Sequence, residues 1–186
     1  MDACLSRRTK LGDNNLRYTG TTMIEPWQIE PAESRASLAA VRTLLQEYCD
    51  SFGFTPCFQN FGDELAGLPG AYAPPGGRLA LAKINDEPAG CIALRRVETD
   101  RVEAKRLFVR PAFRSLGLGR ALLDWAMNEA RAAGYREIVG DTMPAMRDAL
   151  ALYDRMGFER VGTGAAVQPS LSRQVPEEPI LIRIKL

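Results

Sequence analysis

The stretch Arg106-Leu-Phe-Val-Arg-Pro-Ala-Phe-Arg-Ser-Leu-Gly-Leu-Gly-Arg-Ala-Leu-Leu123 decides how the rest of the chain is read. Leu107, Phe108 and Val109 continue an apolar strand of about Val102 to Val109. Pro111 ends it, because proline has no N–H to give a ladder. The turn Arg114-Ser-Leu-Gly-Leu-Gly119 leads into an amphipathic helix over Leu118 to Ala133, with Leu118, Leu122, Trp125 and Ala126 on one face. Gly134 stops that helix. The first-turn N–H groups of a helix have no intrahelical partner, and the macrodipole places partial positive charge there. Gly117 and Gly119 carry no Cβ, so an anion can approach closely. Arg114 and Arg120 add full charges. Strand, glycine turn and helix together make a pyrophosphate cradle.

The segments on either side follow the same alternation of elements. Upstream, a strand is predicted near Trp27-Gln28-Ile29. Ser34 caps a helix from about Arg35 to Cys49, with Leu38, Val41, Leu44, Leu45 and Tyr48 at helical spacing. Ser51 to Gly77 is aromatic and rich in Gly and Pro, with a short helix expected around Gly62 to Ala66. Strands at Arg78 to Ile84 and Ala89 to Arg96 are joined by Asn85-Asp86-Glu87, which is hairpin chemistry. Downstream come a strand at Glu137 to Thr142, a helix from about Ala145 to Met156 ended by Gly157, and a strand at Phe158 to Gly162. The last strand, Ile180 to Lys185, alternates apolar and polar residues after Leu181. The order β-α-loop-β-β-β-α-β-α-β-β is α/β with a mixed sheet: antiparallel hairpins first, then a β-α-β crossover. Met1 to Thr22 are polar and aperiodic and are expected to form a flexible extension. Residues 23–186 read as one domain, a size that can bury a core.

Composition removes several chemistries. The 186 residues include no histidine, so this chain can build no Ser-His-Asp triad, Cys-His dyad or His-ligated zinc. Acid-base work falls to carboxylates, phenols, thiols, amines or water. The four cysteines, Cys4, Cys49, Cys57 and Cys91, lack Cys-x-x-Cys spacing and read as free thiols, with no metal site expected. A formal net charge of +1 argues against a nucleic-acid coat or a polybasic membrane binder. No apolar run approaches the length of a membrane span, and no signal peptide is evident, so a cytoplasmic location is expected. Balanced total charge hides a local excess. Arg101 to Arg120 holds six cations and one anion, Glu103. Such density points to a compact anionic ligand, with a solvated cationic face as the alternative.

The cradle is not a P-loop, since no Gly-Lys-Ser/Thr follows. It is a poor dinucleotide fingerprint, because Leu122 stands at the third glycine position. Arg114-x-x-Gly-x-Gly119 resembles the coenzyme A pyrophosphate loop of the GCN5-related N-acetyltransferases (GNAT). Ala149-Leu-Ala-Leu-Tyr-Asp-Arg-Met-Gly-Phe158 resembles that family's downstream Ala-x-x-Leu-Tyr-x-x-x-Gly-Phe segment at the family's separation. Gly90-Cys-Ile-Ala-Leu94 and Glu103-Ala-Lys-Arg-Leu-Phe-Val109 are similar to one bacterial branch. The resemblance is strong over about Glu103 to Gly162 and weaker back to Phe58. It implies a mixed, mostly antiparallel sheet of about six to seven strands with a splayed parallel pair, flanked by helices.

The resemblance also implies roles. The substrate pair would be acetyl-CoA and a primary amine of a small molecule or peptide, reacting in a ternary complex; a non-catalytic acyl-CoA-binding module is the second reading. Arg114, Ser115, Leu116, Gly117, Leu118, Gly119, Arg120 and Ala121 would hold the pyrophosphate. Leu107, Phe108 and Val109 would flank the pantetheine arm, with backbone groups of Leu107 and Val109 pairing to it. Tyr153 would protonate the departing thiolate, or else be a core tyrosine. Glu103 would be the base, directly or through water, or else an ion-pair partner of Lys105 or a nearby Arg. Asp141 and Thr142 would belong to the acceptor pocket. Homodimers are common in the family. Met146 stands where many members carry Asn, and Ala165 to Pro179 does not match the usual strand connection.

Overall fold

The computed structural model describes residues 27–51, 61–163 and 178–186, together with the backbone of two short antiparallel strands, β1 (Tyr18–Thr19) and β2 (Thr22–Met23). The rest of the expected extension, part of the aromatic loop and most of the Ala165 to Pro179 connection lie outside the described residues. The elements that follow are β3 (Gln28–Pro31), α1 (Arg35–Asp50), α2 (Phe61–Ala66), β4 (Arg78–Ile84), β5 (Glu87–Arg96), β6 (Arg101–Val109), α3 (Leu118–Ala132), β7 (Glu137–Thr142), α4 (Arg147–Met156), β8 (Glu159–Thr163) and β9 (Ile180–Lys185). Short 3₁₀ turns stand at Gly70–Tyr72 and Pro111–Phe113.

Local chemistry accounts for most boundaries. Ser34 accepts the Ser37 N–H at 3.0 Å and so caps α1, an interaction worth about 1 kcal/mol. Asn85 and Asp86 take φ of +50° and +62°, which suits a two-residue hairpin turn and lets β5 start at Glu87 rather than Ala89. α4 begins at Arg147, later than the expected Ala145, because the chain after Pro144 first closes a turn from the Met146 N–H to the Met143 carbonyl.

Seven strands form one sheet in the order β3-β4-β5-β6-β7-β9-β8. Every neighbouring pair is antiparallel except β6 and β7. The sheet is covered on both faces, which is why β4 and β5 are buried almost end to end. On one face Ala80, Ala82, Ile92, Leu94 and Val102 meet Leu118, Leu122, Leu123, Ala126 and Ala130 of α3. On the other, Leu79, Leu81, Cys91, Ala93 and Phe108 meet Val41, Leu44 and Leu45 of α1 together with Tyr72 and Leu68. Burial of each large apolar side chain contributes about 2 kcal/mol.

Two irregularities shape the centre. Between β5 and β6 the register slips, so that Cys91 faces Phe108 while Ala93 faces Lys105. The extra residue makes a bulge, and Arg106 takes φ +59° there, a left-handed conformation costing about 1–2 kcal/mol in a non-glycine residue. Meanwhile β6 and β7 pair only over Arg101–Glu103 and Glu137–Val139 and then part.

Gly90 lies opposite Val109 across the β5–β6 ladder. A Cβ there would stand 2.6 Å from the Phe108 carbonyl oxygen, a backbone atom that cannot swing away. Gly90→Ala is therefore expected to destabilise the fold by about 1–3 kcal/mol, as overpacking does. Thermal or urea unfolding of the purified variant checks this.

Candidate active site

The cofactor side of the site begins at the N-terminus of α3. The first intrahelical bond runs from the Ala121 N–H to the Gly117 carbonyl at 3.1 Å. The amides of Leu118, Gly119 and Arg120 precede it and donate to nothing within the helix. Ser115 and Gly117 take φ of +64° and +89°. Left-handed residues in such a turn help aim N–H groups at one point, the geometry of an anion nest. Gly119 packs against α4, where a Cβ would come within 3.3 Å of Leu152. The cradle is thus narrow, amide-lined and positively polarised, and its residues fit a pyrophosphate. Trp27 flanks it, with its ring edge 3.5 Å from where a Gly117 Cβ would sit.

The basic stretch acts here in only one part. Arg101 is paired with Glu98 and Glu137, Lys105 with Glu103, Arg106 with Glu64, and Arg110 with Glu47 and Glu87. Arg114 and Arg120 remain exposed at the cradle. Arg114 donates its Nε to the Val109 carbonyl at 3.1 Å, and Arg120 stands 3.6 Å from Asp124. Four of the six cations are therefore ion-paired across elements of the fold, and two stand exposed beside the cradle.

Beyond Glu103, β6 has no strand partner on its β7 side among the described residues, so there the Ala104–Val109 backbone presents an open edge. Leu107 and Val109 pack toward the α3 face, and Phe108 toward the α1 face. α4 borders the same opening. Its Tyr153 packs beside Phe158, with ring centroids 5.3 Å apart, and is only partly buried. Burial, with the nearby Tyr48 and the charge of Asp141, pushes the Tyr153 phenol up, so it holds its proton at neutral pH.

Sequence-selected residues divide on the acceptor side. Glu103 reaches the α1 face but is only 1 % exposed. Arg95 donates two N–H groups to its Oε2, and Lys105 stands 3.2 Å from its Oε1. This is the ion-pair alternative raised by the sequence, and it leaves an acceptor no direct contact with Glu103. Asp141 sits two residues past the last β6–β7 pair, on the same face as Glu103. Burial pushes its carboxyl up, with Glu103 adding to the effect and Lys105 and Arg106 opposing it. Thr142 turns to the opposite face of β7, is buried, and meets the Met146 sulfur at 3.7 Å.

Three residues of this site were not singled out as functional by sequence. Tyr48, expected only as a core position of α1, packs on Phe108 with centroids 5.6 Å apart. Burial pushes its phenol up to about 12, Arg106 pulling it down and Asp141 pushing it up. Arg106 donates to both Glu64 oxygens, at 2.8 and 2.5 Å, and Glu64 also accepts the Tyr72 hydroxyl at 2.6 Å. The only signal for this network was an Arg inside a strand that has few other reasons to bury one. Among the described residues no group of three or more side chains could hold a metal ion, and no helix is long and apolar enough to cross a membrane.

The open strand edge and the amide cradle belong to an architecture shared with known acetyltransferases. The model of the acetyltransferase (GNAT) family matches residues 38–158. An uncharacterized N-acetyltransferase of Schizosaccharomyces pombe is 37% identical over 120 residues, covering 63% of this chain and 74% of that one. An IAA acetyltransferase of Azospirillum brasilense is 32% identical over 110 residues, covering 58% and 71%. Among solved structures, a GNAT acetyltransferase from Elizabethkingia anophelis with acetyl-CoA bound superposes with a TM-score of 0.62 at 23% identity, over 87% of this chain and 99% of that one. A GNAT acetyltransferase from Staphylococcus aureus reaches 0.72 at 20% identity, over 86% and 99%. The chain belongs to the GNAT family and is an N-acetyltransferase.

Two outcomes follow from this geometry. Gly117→Val should strain the left-handed turn and crowd Trp27, weakening coenzyme A binding at least tenfold by calorimetry; binding of coenzyme A to the native protein should alter the fluorescence of Trp27 and leave a Trp27→Phe variant largely silent. The second concerns pH. Burial opposes ionisation of Glu64, but hydrogen bonds and charge from Arg106, with the Tyr72 hydroxyl, outweigh it and hold the carboxyl below its ordinary 4.5. A depressed folded value contributes stability above pH 4.5 that is lost as pH falls through it. Glu64→Ala should cost about 2 kcal/mol, less than a fully buried pair because Glu64 is partly exposed, and should flatten the acid limb of a denaturation–pH profile.

Proposed function

We propose that the enzyme transfers the acetyl group of acetyl-CoA to a primary amine of a small molecule or peptide, by direct attack while both substrates are bound. The observation that carries this reading is that β6 parts from β7 after Glu103 and leads on to the free amides at the start of α3. A neighbour of the same fold that carries acetyl-CoA supports the choice of acyl donor.

The amides of residues 116–121, with Arg114 and Arg120, bind the pyrophosphate. Backbone groups of Leu107 and Val109 receive the pantetheine arm as an added strand, for which Arg114 must leave the Val109 carbonyl. A backbone N–H at the end of β6 polarises the thioester carbonyl. The two substrates then meet in the gap where β6 and β7 part, with the amine on the α1 face. Attack of the amine nitrogen forms the C–N bond and breaks C–S, and Tyr153 gives its proton to the departing thiolate. A phenol held protonated by burial suits an acid, because it enters the reaction carrying the proton it must donate. A carboxylate or water on the acceptor face takes the amine's proton. Glu103 can serve only through water or through Lys105.

Tyr153→Phe removes the hydroxyl and keeps the ring that packs on Phe158. Turnover should fall about 100-fold or more, with acetyl-CoA affinity held within about threefold. Thiol release over a panel of amino acids, polyamines, aminoglycosides and peptide N-termini, followed by this variant with the best acceptor, tests both reaction and role. Unchanged turnover removes Tyr153 from the chemistry.

A further inference from the structure

Asp141 stands apart from the other acids around this site. Glu103 is bound by Arg95 and Lys105, and Glu64 by Arg106 and Tyr72. Glu47 is bound by Arg110, whose hydrogen bonds hold its carboxyl low. Among the described residues Asp141 has no cation within ion-pair distance. Continued past Glu103–Val139, the parallel register would set Asp141 opposite Lys105, but the strands have already parted and Lys105 is committed to Glu103. A largely desolvated carboxylate without a counter-ion is costly. Here it stands at the splay, where the acceptor must enter.

Each element around it contributes a facing group. β6 brings Glu103, Lys105 and Arg106; α1 brings Tyr48; α4 brings Tyr153. Tyr48 and Phe108 provide an aromatic pair on the α1 face, while the Phe61 ring is already covered by the Arg106 guanidinium. Aromatic faces beside a lone carboxylate suit an ammonium group on an apolar stem.

We infer that Asp141 receives the acceptor's ammonium group and removes its proton, so that the acceptor is an amine presented by an apolar or aromatic stem. This rests on the acetyl-transfer reading above. The balance is complete. One N–H bond of the ammonium breaks and the Asp141 carboxylate gains the proton. The neutral amine attacks, C–S breaks, and the thiolate takes the phenolic proton of Tyr153. The second proton of the new amide nitrogen returns to Tyr153 through water, and Asp141 releases its proton to solvent.

The two titrating groups are coupled. Burial and Tyr48 hold the Tyr153 proton, and so does the negative charge of Asp141. When Asp141 takes the ammonium proton that charge disappears, and release of the Tyr153 proton becomes easier. Deprotonating the nucleophile thereby prepares the acid for the step that follows.

The test compares two acceptors. Benzylamine is an ammonium at neutral pH and needs a base; hydroxylamine is already unprotonated and does not. With acetyl-CoA at neutral pH, Asp141→Asn should lower kcat/KM for benzylamine about 100-fold and for hydroxylamine by less than about threefold. Equal losses with both acceptors, or no loss with either, overturn the assignment. A second reading needs no turnover: carbon-13 NMR of the Asp141 carboxyl in the full chain, assigned with Asp141→Asn. A carboxyl that titrates above 3.8 and moves on addition of benzylamine upholds it, and one that titrates at or below 3.8, or ignores the amine, overturns it. Should the wild-type protein acetylate neither amine, the acetyl-transfer reading loses support, and the NMR result alone decides Asp141.

Discussion

β6 and β7 are held together by three residue pairs, and the site exists because there are no more. Each of the two strands is satisfied elsewhere. β6 is bonded along its length to β5, and all six residues of β7 are bonded to β9. The strands can separate without losing their places in the sheet. Separation leaves one polar edge on β6, and an unpaired edge beside a core wants a partner with amide-like groups. The bulge at Arg106 reinforces the divergence by adding a residue to β6 just where β7 leaves it. The residues read as chemistry lie around this gap: the first amides of α3, Tyr153 on α4, and Asp141 on β7.

Charge is distributed with the same economy. Arg95, Lys105 and Glu103 form a triad of net charge +1 on the α1 face, and Arg106 and Glu64 form a neutral pair beside it. Paired and hydrogen-bonded charges of this kind fix side chains in one geometry. Arg106 shows this well. Its backbone conformation is one that few L-residues adopt, and two of its three guanidinium nitrogens are bound to a helix 42 positions away in sequence. The ion pair and the bulge each hold the other in place.

The sequence was readable wherever local chemistry sets the outcome. Ser34, Pro111, Gly117, Gly134 and Gly157 mark element ends through caps, missing donors and left-handed backbone, and the elements lie where those residues place them. The cradle was legible for the same reason, since its parts are adjacent in sequence. The acceptor face was less so. Glu103 could be placed on a central strand, but its partner Arg95 comes from the neighbouring strand, and only register brings them together. Tyr48 had a sufficient explanation as one apolar position in a helix. Arg106 met Glu64 through a bulge that alternation cannot foresee. The basic stretch misled in a similar way: adjacency in sequence suggested one collective ligand, whereas alternation and the bulge sent its members to different neighbours.

α2 has no fully buried side chain. It is tied down by the Arg42 bond to the Leu65 carbonyl at 2.7 Å and by Arg106 and Tyr72 on Glu64. A helix attached through a few polar bonds and the partly buried Phe61 and Leu65 can change its exposed residues without reopening the core beneath it. Gly62 and Asp63 are thus free to drift so long as Glu64 keeps its two donors and Leu65 its place. The cofactor half has no such latitude, since its glycines are fixed by backbone geometry. Divergence of such enzymes would then proceed by rewriting the roof over one substrate while the floor under the other stays constant. In this chain Glu64, with Phe61 and Leu65 packed on the core beside it, is where that separation hinges.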